Sequence, residues 1–122
     1  MRDITVEWDV YQQKCPTRMV MSRIADKWVL LALGIIERAP IRFNQLRREI
    51  EGISQKSLTE TLRTLERDGL VRREVIASSP IAVEYSITPL GRTLGHAAGA
   101  VRLWSETHIE EVLAAQQIFD GR

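Results

Sequence analysis

The chain has 122 residues, 44% of them hydrophobic and 27% charged, the size and make-up of one compact globular domain rather than a multidomain enzyme. Seventeen basic side chains face sixteen acidic ones for a net charge of +1, so a polyanionic partner has to be met by local charge. The longest apolar run, Trp28 to Ile36, falls far short of the roughly 20 residues of a membrane span, and the N-terminus has no signal-peptide core, so a cytoplasmic protein with no membrane partner is expected.

Residues 1–14 read as an N-terminal arm. Cys15 and Pro16 predict the start of a first helix reaching about Ile24, because proline lacks the N–H that the first helical turn leaves unpaired. Asp26 then opens a second helix to about Arg38, apolar nearly all round (Trp28, Val29, Leu30, Leu31, Leu33, Ile35, Ile36) and therefore the core helix. Pro40 stops it, and Ile41 to Phe43 form a short extended stretch. Asn44 is the expected N-cap of a third helix, Gln45 to Ile50, ended by Gly52; Ser54 caps a fourth, ended at Gly69. Two β-favouring runs, Leu70 to Ala77 and Ile81 to Thr88, flank Ser78, Ser79 and Pro80 and predict a hairpin. Thr88 and Pro89 open a long last helix to about Phe119. The expected architecture is mainly α with a small β-hairpin: a single domain over 1–122, with a helix-turn-helix at 44–69, a wing hairpin at 70–88 and a dimerisation helix at 89–119.

Two short helices followed by a hairpin have the element order of a winged helix-turn-helix. In the fourth helix Leu58, Leu62 and Leu65 share one face, while Lys56, Glu60, Arg63 and Arg67 point the other way. Between Arg42 and Arg73 eight basic residues (Arg42, Arg47, Arg48, Lys56, Arg63, Arg67, Arg72, Arg73) face five acidic ones. From Leu103 onward the balance is reversed, with four acidic side chains against Arg122. Positive charge is thus concentrated where a DNA-reading unit needs it. A capped helix start presents free N–H groups, which suits Ser54, Gln55, Lys56 and Ser57 to phosphates and base edges; Thr59, Glu60 and Arg63 follow on the exposed side. The same charge pattern also fits an ordinary solvated amphipathic helix.

The set Cys15-Pro16, Asp26-Lys27-Trp28, Arg42-Phe43-Asn44-Gln45-Leu46-Arg47, Gly52-Ile53-Ser54-Gln55-Lys56-Ser57-Leu58-Thr59, Leu62-Arg63, Leu65-Glu66, Asp68-Gly69-Leu70-Val71 and Val83-Glu84-Tyr85-Ser86-Ile87-Thr88-Pro89-Leu90-Gly91 resembles the HxlR-type family of bacterial transcription regulators. The resemblance covers about Cys15 to Gly91. It implies a winged helix-turn-helix homodimer, related to the MarR group, that binds palindromic double-stranded operator DNA. Many such proteins are repressors that answer oxidants or electrophiles. The DNA-contacting set expected on this basis is Arg42, Asn44, Gln45, Ser54, Gln55, Lys56, Ser57, Thr59, Glu60, Arg63 and Arg73, with Ser78 and Ser79 at the wing tip. Two departures stand out: Ala25 and Asp26 replace the usual glycines before Lys27-Trp28, and the serines occupy a tip that is often basic.

The single cysteine excludes an internal disulfide framework and a multi-thiolate zinc site. Cys15 lies at a helix start, where unpaired N–H groups favour the thiolate, and Lys14 and Arg18 add positive charge. In the resembling family a cysteine here is often the redox switch, reached by a small oxidant, electrophile or thiol; a small buried hydrophobe at a helix start is the other reading. In the last helix Leu90, Leu94, Ala98, Val101 and Trp104 make an apolar stripe, and Gly91, Gly95 and Gly99 recur every four residues. Both fit a two-fold dimer through the first and last helices, and intrachain packing explains the glycines equally well. His96 and His108 are about 120° apart around a helix and make a poor metal pair. With no phosphate loop, GxSxG or HExxH motif, neither enzyme activity nor a cofactor is expected. The rival to DNA binding is a winged-helix protein-interaction module.

Overall fold

The computed structural model describes residues 8–122; residues 1–7 of the expected arm lie outside the described part. Residues 8–14 form turns, with Gln12 N–H donating to Asp9 C=O and Cys15 N–H to Gln12 C=O. The elements that follow are α1 (Pro16–Ile24), α2 (Lys27–Arg38), β1 (Ile41–Arg42), α3 (Phe43–Glu49), α4 (Gln55–Arg67), β2 (Val71–Ser78), β3 (Ile81–Ile87) and α5 (Pro89–Asp120). The strands form an antiparallel sheet in the order β1-β3-β2.

The core is assembled around α2. Its Val29, Ala32, Leu33 and Ile36 are buried against Leu46 of α3 and Leu58, Leu62 and Leu65 of α4, with Ile41, Ile50, Ile53, Leu70 and Val71 closing the cluster. Asp26 caps α2 by accepting from the N–H groups of Trp28 and Val29, so one of the two departures from the family pattern is itself the helix cap. Gly69 sits at φ +77° after the C-cap Asp68, with Leu70 N–H donating to Leu65 C=O and Gly69 N–H to Glu66 C=O. This left-handed stop turns the chain straight from α4 into β2. Thr88 then accepts from Gly91 N–H and donates to the carbonyls of Gly69 and Leu70, tying the start of α5 to the end of α4.

Two expectations are corrected. Asn44 does not cap the third helix: α3 begins at Phe43 with Arg42 as its N-cap and no side-chain cap bond. The reason is the short β1 strand. Pairing Ile41 with Tyr85 and Arg42 with Glu84 holds Arg42 extended, so the helix starts immediately after it. The stripe on α5 also divides. Gly91, Gly95 and Ala98 are buried and Leu94 packs on the core, whereas Leu90, Val101 and Trp104 are exposed. A Cβ at Gly91 would run into the Leu70 carbonyl and one at Gly95 would come 2.8 Å from a Glu37 carboxylate oxygen, so both glycines serve packing within the chain. Reciprocally, Gly34 of α2 leaves room for the Arg102 guanidinium of α5, which donates to the Leu30 carbonyl at 2.8 Å.

Candidate nucleic-acid interface

The fourth helix is held by Leu58, Thr61, Leu62 and Leu65, all buried, and turns its other side outward. At its start the Ser54 hydroxyl accepts from Ser57 N–H at 3.0 Å, which uses one of the orphan donors of the first turn and leaves others facing solvent. Ser54, Gln55, Lys56, Thr59, Glu60 and Arg63 are exposed; Ser57 is half-buried. An open cleft beside α4 is lined by Gln55, Thr59, Arg63 and Glu66 of that helix together with Arg73 and Tyr85 of the sheet. Arg73 reaches this place because β2 pairs it with Tyr85, next to the strand that carries Arg42.

The other expected residues fall into neighbouring groups. Arg42, Asn44 and Gln45 line a second cleft with Arg48 and the first residues of β3. Ser57 and Glu60 face a third one, between α4 and the α1–α2 corner. Lys56 is exposed and lines none of these clefts. Ser78 and Ser79 are exposed at the wing tip and line none of the three clefts, though Ser78 pairs with Ile81 at the edge of the second. Arg48, Glu66 and Tyr85 were missed by the sequence reading. Arg48 was legible as the residue one turn after Gln45; Glu66 and Tyr85 were not, because only the packing of the sheet beside α4 brings them there.

The charges are arranged to leave the cations free. Among the described residues Asp68 pairs with Arg23, and Glu49 lies 3.9 Å from Arg38; both of those arginines lie outside the segment Arg42 to Arg73. No ion pair engages Arg42, Arg47, Arg48, Lys56, Arg63, Arg67, Arg72 or Arg73 among the described residues. Glu84, opposite both Arg42 and Glu74 across the sheet, makes the wing itself less basic than the helices. Such a surface can meet phosphates with arginine and lysine and base edges with Gln55, Thr59 and Arg63.

A family model for HxlR-like helix-turn-helix proteins matches residues 23–113. The chain belongs to that family. The HTH-type transcriptional regulator YtfH of Escherichia coli is 36% identical over 110 residues, covering 90% of this chain and 87% of YtfH. Among solved structures the transcriptional regulator ytfH of Salmonella typhimurium superposes with a TM-score of 0.85 at 34% identity, over 91% of this chain and 99% of that one. The redox regulator HypR in its oxidised form follows with a TM-score of 0.69 at 39% identity, over 76% of this chain and 96% of HypR. This HxlR-like chain is therefore a DNA-binding transcriptional regulator of winged-helix architecture.

Away from that surface, Cys15 is the N-cap of α1 and half-buried. Its Sγ lies 2.9 Å from the Thr17 hydroxyl, and that hydrogen bond is the main cause holding the thiol below its ordinary pKa, against a smaller upward push from desolvation. The expected help from Lys14 and Arg18 is replaced by this local bond. Arg18 instead donates to the carbonyls of Val10 and Tyr11, fastening the turns before α1. Among the described residues no cluster of His, Cys, Asp and Glu could hold a metal ion, and no helix is long and apolar enough to cross a membrane.

Proposed function

We propose that the protein is a cytoplasmic repressor that binds palindromic operator DNA as a homodimer. In this reading α4 enters the major groove, with Gln55, Thr59, Glu60 and Arg63 along the bases. Ser54, Lys56, Ser57, Arg42, Asn44, Gln45 and Arg73 hold phosphates, and the serines of the wing tip lie along the sugar-phosphate backbone. The observation that carries it is α4 itself: a helix anchored by buried leucines whose exposed side joins a capped, open N-terminus to arginines that no ion pair engages among the described residues.

The dimer is supported by what this chain leaves uncovered. Met19, Val20 and Met21 of α1 and Leu90, Val101, Leu103, Trp104, Ile109 and Leu113 of α5 are large exposed apolar side chains. The second half of α5 has no exposed-to-buried alternation of its own; residues 109–122 are exposed except for the partly covered Val112. A free-standing helix of this kind is marginal in water, and a second copy of the same two helices would cover it. Reading helices about 34 to 36 Å apart then address successive major grooves on one side of the duplex.

Control acts at Cys15. A thiol held toward its thiolate form at the start of an interface helix suits attack on an electrophile or oxidation, and its similarity to a redox regulator in oxidised and reduced forms supports the same role here. With one cysteine per chain, a disulfide joins two subunits or a subunit and a small thiol.

The test is a gel-shift titration against salt on a palindromic duplex selected by the wild-type protein from a random pool. Affinity should fall steeply as salt rises, Arg63→Ala should cost about 1–3 kcal/mol, and Lys56→Ala should reduce the salt slope by about one. If both variants bind like the wild type, α4 is not the reading helix; absence of duplex binding would favour a protein-interaction module. Cys15→Ser should abolish a diamide response and leave resting DNA binding intact.

A further inference from the structure

Helix α1 is attached to the rest of the chain in an unusual way. It contains no fully buried residue, and only Thr17, Arg23 and Ile24 are even partly covered, while Met19, Val20 and Met21 face outward. Packing within the chain therefore does little to set its position. One polar contact does more. Arg23, in the last turn of α1, donates from Nε to Oδ2 of Asp68 at 2.5 Å, and each side chain keeps only about a fifth of its surface exposed. Asp68 is the C-cap of α4. Arg23 lines two open clefts: one with Ser22, Ser57, Glu60 and Thr64, the other with Asp68, Val20, Leu90 and Leu94. The ion pair thus spans a gap that side-chain packing leaves unfilled.

We propose that Arg23 and Asp68 form a positioning strut that fixes the end of the reading helix to the interface helix, so that the pairing of two chains sets the distance and tilt between their two copies of α4. The inference rests on the reading of α1 and α5 as the dimer surface. Leverage makes a short strut effective. Gln55, at the far end of α4, is about 20 Å from Asp68 along the helix, so a tilt of about 10° displaces the base-reading end by about 3 Å, the length of a hydrogen bond. A charge-assisted bond that is four-fifths buried holds its geometry better than an exposed pair, which solvent and salt weaken.

The experiment compares the full-length wild type with Arg23→Gln, Asp68→Asn and the charge-reversed pair Arg23→Asp/Asp68→Arg. The first readout needs no DNA: spin labels at Lys56→Cys in a Cys15→Ser background report the distance between the two copies of α4. A narrow distribution is expected for the wild type, a broad or shifted one for each single variant, and recovery in the reversed pair. The second readout is affinity for the selected palindrome and for one isolated half-site. Each single variant should lose about ten-fold on the palindrome and change less than about two-fold on the half-site.

Distances unchanged in the single variants, equal losses on both duplexes, or no recovery in the reversed pair would overturn the strut. Wild-type chains that give no inter-label distance would defeat the dimer reading and the strut with it. Distances that respond as expected while no duplex is preferred would leave the strut standing and defeat the DNA reading alone.

Discussion

Two regions of the molecule differ in how completely they satisfy themselves. The unit from α2 to β3 buries thirteen core residues, with the α4 leucines each at most 1% exposed, and its helix ends are capped or stopped by Asp26, Ser54 and Gly69. Helices α1 and α5 carry most of the large exposed apolar side chains. In the proposed dimer a self-contained unit and an unfinished pair of flanking helices divide the work: the first would present a surface of defined shape, and the second would leave the spacing of two such surfaces to association. Under that proposal the geometry of DNA contact becomes a property of how two chains pair.

Five variants break or sharpen this contrast. The largest effect is expected inside the self-contained unit, where Leu62→Ala should cost about 2–5 kcal/mol in denaturant unfolding, because the cavity left under α4 cannot collapse onto the sheet and α2 at once. In the unfinished region Trp104→Ala should leave the fold of the unit intact and weaken association by about 2–4 kcal/mol, read by sedimentation; a dimer of unchanged strength would place the interface elsewhere.

The α5 glycines give a smaller and more discriminating effect. Gly91→Ala should destabilise by about 1–3 kcal/mol, since the Leu70 backbone cannot retreat. Gly99→Ala, where a Cβ would meet only the Arg102 guanidinium at 3.5 Å, should stabilise by up to about 1 kcal/mol and preserve the dimer; its loss would show that the partner helix packs directly on Gly99.

The smallest effect concerns the thiol. Its pKa lies below the ordinary value because the Thr17 hydroxyl donates to the thiolate. Thr17→Val removes that donor, raises the pKa, and should move the pH profile of iodoacetamide alkylation upward, with slower reaction at neutral pH. A profile that stays in place would assign the lowering to the backbone N–H groups at the helix start.

Much of this protein can be read from local signals. Pro16, Asp26, Ser54, Thr88 and Gly69 mark helix ends through chemistry that acts within a few residues, and the spacing of Leu58, Leu62 and Leu65 declares the buried side of α4. Helix starts, the hairpin and the polar side of α4 are therefore visible in a single chain. The cap at Arg42 was not, since it depends on β1 pairing with a strand more than forty residues later. The same holds for Glu66 and Tyr85 beside Arg63, for the burial of Gly91 against Leu70, for the Thr17 hydroxyl displacing Lys14 and Arg18 as the influence on Cys15, and for Arg23 reaching Asp68. Capping and amphipathic periodicity are short-range and write themselves into adjacent letters; ion pairs, cleft walls and helix crossings join residues far apart in the chain, and their partners become known only when the chain has closed on itself.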